Sequence, residues 1–132
     1  MIATLLLGAA MADAAPAPIV SIPELVDRRA ELRGQIVEVH ALMGPCRPLG
    51  CILYADEAAL RLGQGSADHR NWLSIGSVGR AFDAKAMRLH GQAVSVRGRF
   101  DDSCFSHDMI CLDRVAELQP ADANSLMRLK DN

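Results

Sequence analysis

The chain has 132 residues, half of them hydrophobic but only 4% aromatic, with 14 Lys and Arg against 16 Asp and Glu. That length suits one domain whose interior is filled by aliphatic side chains. A net charge of −2 offers no electrostatic footprint for a polyanion, which disfavours nucleic acid or an anionic membrane surface as the main partner.

Residues 2–12 form an apolar run too short to span a bilayer. The triplets Ala10-Met11-Ala12 and Ala12-Asp13-Ala14 then supply the small residues that signal peptidase requires. Residues 1–14 are therefore expected to be a signal peptide, although no Lys or Arg precedes the apolar run. Residues 15–20, with Ala15-Pro16-Ala17-Pro18, read as a spacer. The expected location is the periplasm or the outside of the cell. No later run is long and apolar enough to cross a membrane, and no cysteine near the cleavage region suggests a lipid anchor.

Ser21-Ile22-Pro23-Glu24 has the form of a capping box, predicting a helix to about Arg33 that buries Ile22, Leu25, Val26 and Leu32 and stops at Gly34. A first strand over 35–43 follows, with Val37, Val39, Ala41 and Met43 inward and Glu38 and His40 outward. Gly44-Pro45-Cys46-Arg47-Pro48-Leu49-Gly50-Cys51 reads as turn throughout. A second strand spans 51–55, and the connection 56–70 begins with a helix-like run at 58–62. Strand three is 72–75, and a second short helix over 79–89 puts Phe82, Ala86 and Leu89 on one face. The fourth strand alternates most clearly, with Val94, Val96 and Phe100 on one side and Ala93, Ser95, Arg97 and Arg99 on the other. Gly98 is read as the point where it coils sharply. A fifth strand covers about 109–118, Pro120 ends the domain, and 121–132 is a polar tail with a weak amphipathic run at 126–130.

Two ribbons echo each other: Gly34-Gln35-Ile36-Val37-Glu38-Val39 and Gly91-Gln92-Ala93-Val94-Ser95-Val96-Arg97-Gly98-Arg99-Phe100, each after a short helix. Over residues 21–120 the chain resembles small exported OB-fold-like proteins of bacteria. These share a Gly-Gln/Lys-x-Val-x-Val ribbon and a later Gly-x-x-Val-x-Val-x-Gly-x-Phe ribbon. The resemblance implies a mainly β fold, a five-stranded OB-like Greek-key barrel with two short helices, one of them between strands three and four.

Four cysteines fall in two close pairs, Cys46/Cys51 and Cys104/Cys111, expected to be disulfides in an exported domain. Three connectivities are open: the local one pinches two loops, and the crossed ones tie the loops together. The main expected effect is stability, about 2 kcal/mol for each short loop. The intervening four and six residues are wrong for a redox-active Cys-x-x-Cys and too wide for a zinc knuckle, even with His107 nearby. Asp56, Glu57, Asp101, Asp102 and Asp108 match no calcium loop and read as a solvated rim. The four histidines, His40, His69, His90 and His107, flank no nucleophile motif, so no cofactor, metal or catalytic residue is assigned.

If the barrel forms, its two cysteine loops flank the face on which OB-folds bind oligomers. Tyr54, Trp72, Arg97 and Arg99 are then the candidate ligand-binding side chains. The expected function is a non-enzymatic binding or accessory module for a small ligand or an envelope protein. A metal-assisted, phosphodiesterase-like hydrolase using Arg97, Arg99 and Asp101 is the alternative. Partner binding through an exposed strand edge is a third possibility.

Overall fold

The computed structural model describes residues 16–48, 50–63, 70–101 and 117–130. The expected signal peptide, the Cys104/Cys111 pair, His69 and His107 lie outside these residues. So does most of the expected fifth strand. The described chain is mainly β: seven strands in one mixed sheet and four α-helices, against the five strands and two helices expected.

The first helix starts where the capping signal places it. Helix α1 (Ile22–Asp27) begins at Ser21, whose hydroxyl accepts from the Glu24 amide at 3.2 Å, and it buries Ile22, Leu25 and Val26. The single helix predicted to Arg33 is in fact two, because the backbone leaves helical geometry at Arg28 and resumes as α2 (Arg29–Leu32). The Arg28 guanidinium bridges both pieces, reaching Glu24 at 2.9 Å and Glu31 at 3.0 Å.

Strand β2 (Ile36–Arg47) buries Val37, Val39, Ala41 and Met43, as its alternation predicts. It is longer than expected, because Gly44 to Arg47 belong to the strand rather than to a turn. The register slips by one residue between Met43 and Cys46, so two apparent breakers sit within a bulge. Pro45 is tolerated there because a bulge relaxes the demand for ladder donors. Gly44 is needed because a Cβ would come within 2.5 Å of the Tyr54 ring.

Strand β3 (Gly50–Tyr54) returns antiparallel, with Cys46 opposite Cys51 and Leu42 opposite Tyr54. Helix α3 (Glu57–Leu62) is capped by the Asp56 carboxylate, which accepts from the Ala59 amide at 2.8 Å. Strand β4 (Trp72–Gly76) pairs with β3, and α4 (Arg80–Arg88) follows with Phe82 and Ala86 buried. Strand β5 (Ala93–Phe100) then runs antiparallel to β2, from Ile36 opposite Arg99 to Leu42 opposite Ala93.

Two pairings link the remaining strands. Strand β6 (Leu118–Gln119) lies parallel to β4 at Ile75 and antiparallel to β5 at Phe100. The pairings β2–β3–β4–β6–β5–β2 thus return to their starting strand. Val37, Val39, Met43, Leu53, Leu73, Ile75, Val94, Val96, Phe100 and Leu118 share one buried cluster, to which α4 adds Phe82 and Ala86.

The two extra strands come from segments read as a spacer and as a polar tail with a weak amphipathic run. Strand β1 (Ile19–Val20), the end of the supposed spacer, pairs parallel with β2 and buries Val20. Strand β7 (Leu126–Arg128), in the supposed polar tail, pairs with β5 and buries Leu126. Both use backbone hydrogen bonds that a sequence pattern of two or three residues cannot advertise.

Two glycines are set by close approach. At Gly98 a Cβ would meet the Gln119 backbone at 2.9 Å, so the glycine admits the close approach of β6. Gly50 has φ +146°, and a Cβ there would lie 2.0 Å from the Ile75 carbonyl oxygen. Gly50→Ala is therefore expected to destabilise by at least about 1–3 kcal/mol, read from urea unfolding, since backbone must move to relieve the overlap. A loss below about 0.5 kcal/mol would show that the β3–β4 ladder adapts freely.

Candidate functional site

Along β3 and β4 one set of side chains enters the core while Ile52, Tyr54, Trp72 and Ser74 face the other way. Tyr54 stands directly opposite Trp72, and Ile52 opposite Ser74. Helix α3 covers part of this outer face: Ala59 is buried with Ile52 and Tyr54, while Leu60 and Trp72 pack at the margin. Tyr54 is only 3% exposed and lies against Gly44, so its ring acts chiefly in packing. Burial also pushes its phenol above the usual value. Trp72 is half-buried.

A carboxyl group sits beside Ser74 on this face. Glu117, which precedes β6, is 3% exposed. Its Oε2 accepts from the Ser74 amide at 2.8 Å and from the Ser74 hydroxyl. Its backbone N–H donates to the Ser74 carbonyl at 3.2 Å, and its carbonyl accepts from the Asp101 amide at 2.8 Å. Burial pushes the Glu117 carboxyl up to about 7; the Ser74 and Glu117 amides offset part of the rise, and the charge of Asp101 adds to it. Near neutral pH this group can hold or release a proton, beside Ser74 on the face that also carries Trp72.

The other sequence-predicted residues fall elsewhere. Arg97 and Arg99 are exposed on the outer side of β5, opposite Glu38 and Ile36 of β2, and Arg99 donates to the Gly34 carbonyl at 2.5 Å. Glu38 and His40 form their own contact at 2.7 Å on that same wall. The fold thus brings Tyr54 and Trp72 together but places both arginines on a different pair of strands. Cys46 and Cys51 form a disulfide across the β2–β3 hairpin. The chain matches no protein-family model, no curated protein and no solved structure.

The site's chemistry is one half-buried indole on the same outer face as a buried, hydrogen-bonded carboxyl, so Trp72 is the side chain placed to meet the apolar face of a ligand. Among the described residues, the one group of three side chains able to converge on a cation is Cys46, Cys51 and Asp83, at the other end of β2 from the partners of Arg97 and Arg99. No described helix is long and apolar enough to cross a membrane. Glu117, Ser74 and Asp83 were invisible to sequence reasoning. The one available signal was a glutamate inside the apolar run Val115-Ala116-Glu117-Leu118.

Proposed function

We propose that this protein is an exported, non-enzymatic binding module built on an OB-like Greek-key barrel, related to the small exported bacterial proteins whose ribbons it resembles. The observation that carries this reading is the circuit of strand pairings. Five strands make up the circuit, α4 lies between the third and fourth of them in chain order (β4 and β5), and the β4–β6 pairing is parallel. In such a barrel the second and third strands form the ligand face. Here those are β3 and β4, which carry Tyr54, Trp72 and Ser74 with Glu117 alongside. The Cys46–Cys51 disulfide favours an oxidising compartment, the periplasm or beyond. The ligand is a small molecule or an envelope protein, recognised through Trp72, which is half-buried on that face.

Mass spectrometry of the protein recovered from the cell envelope, before and after reduction, tests this. The expected result is a chain lacking its first residues, gaining two hydrogens per disulfide on reduction, and releasing a retained ligand on denaturation. Trp72 is the only tryptophan, so adding envelope extract should also shift the intrinsic emission. A full-length, fully reduced protein in the cytoplasm, with emission unmoved by the extract, overturns the proposal.

A further inference from the structure

The disulfide has a third group beside it. Asp83, in the first turn of α4, places Oδ1 3.6 Å from Cys51 Sγ. The two sulfurs and a carboxylate oxygen all lie within 4.8 Å of one another. Cys51 is 2% exposed, Cys46 and Asp83 are half-buried, and the three come from two elements, the β2–β3 hairpin and α4. Packing of Phe82 and Ala86 into the core fixes α4, and with it Asp83, over the hairpin.

We propose that this corner is a redox-gated site for a zinc-class divalent cation, closed while the disulfide is intact and opened by its reduction. The proposal is independent of the ligand face on β3 and β4. A tetrahedral zinc ion, bound to sulfur at about 2.3 Å and to carboxylate oxygen at about 2.0–2.2 Å, keeps its ligand atoms roughly 3.5–3.8 Å apart. The Asp83–Cys51 separation already has that value. Once the S–S bond is broken, the two sulfurs are free to separate and span the remaining edge. Two thiolates and a carboxylate make a borderline-soft donor set that selects zinc over magnesium or calcium. Without a cation, three anions gathered this closely would repel, so metal uptake and thiol deprotonation are coupled. Three protein ligands leave the fourth position to water.

The chemistry balances with a dithiol as reductant. It delivers two electrons and two protons: the Cys46–Cys51 bond breaks, both become thiols, and the reductant closes its own disulfide. On binding, the cation replaces the two thiol protons, which pass to solvent.

The test uses the full chain with Cys104→Ser and Cys111→Ser, so that only the Cys46/Cys51 thiols remain. After reduction, Co²⁺ should bind at one equivalent with sulfur-to-cobalt charge-transfer absorption, and Zn²⁺ should displace it. The oxidised protein should show no such band. Asp83→Asn should weaken Co²⁺ binding about tenfold or more, since losing a ligand costs at least as much as losing its support. Should the double variant not fold, alkylation of the reduced wild-type protein replaces it. Zn²⁺ should then shield Cys46 and Cys51 from the reagent in the wild type but not in Asp83→Asn. Absence of the band, or of shielding, or an unchanged affinity in Asp83→Asn, overturns the proposal.

Discussion

Between pH 4.5 and pH 8 the protein should lose about 3 kcal/mol of stability relative to its Glu117→Gln variant. The cause is the buried carboxyl of Glu117, raised from the usual 4.5 to about 7. A carboxyl whose proton is held more tightly in the folded state stabilises that state at low pH. Its contribution is complete below about 4.5, where both states are protonated, and declines as pH rises towards 7. Above about 7 the folded state carries a buried charge, and the loss levels off. Glutamine keeps an oxygen to accept from the Ser74 amide but cannot ionise, so this slope should disappear in the variant. Urea unfolding of both proteins at pH 4.5, 6 and 8 reads it directly. Parallel pH profiles would show that the Glu117 carboxyl is solvated after all. The same transition bears on the proposed ligand face, because Glu117 is hydrogen-bonded to Ser74, which shares that face with Trp72.

The second large effect concerns the closure of the circuit. Phe100→Ala should cost about 3–5 kcal/mol, a large share of the stability of a domain this size. Phe100 is fully buried in the main cluster, opposite Leu118 of β6. Its backbone N–H donates to the Gln35 carbonyl at 2.9 Å and its carbonyl accepts from the Gly34 amide at 2.8 Å, so three segments meet at this residue. Arg97→Ala, exposed on the other side of β5, should change stability by no more than about 0.5 kcal/mol. Chemical unfolding of the pair measures the contrast. A cost below about 1 kcal/mol for Phe100→Ala would mean that β6 does not depend on the β5 core face.

Much of the inner wall can be read from residue order alone. Strict alternation at Val37, Val39, Ala41 and Met43, and again at Val94, Val96 and Phe100, leaves one side for the core, because a strand turns successive side chains to opposite faces. The Ser21 cap and the Phe82/Ala86 spacing act within a few residues, so they too are legible. Gly44 and Pro45 misled because breaker residues look the same in a turn and in a bulge. Which of the two forms depends on Tyr54 arriving from the next strand. Strands β1 and β7 are held by pairing with distant partners, and two or three residues carry no periodicity to read.

The candidate sites lay further still beyond the linear chain. Tyr54 and Trp72 were nameable as aromatics, but their facing each other, and their distance from Arg97 and Arg99, follow from strand register. The raised carboxyl of Glu117 arises from desolvation against β4, and Asp83 meets the disulfide only because α4 packs over the hairpin. Local patterns specify which way a side chain points. Electrostatics and ligand geometry depend on what arrives from elsewhere in the chain, and folding supplies that.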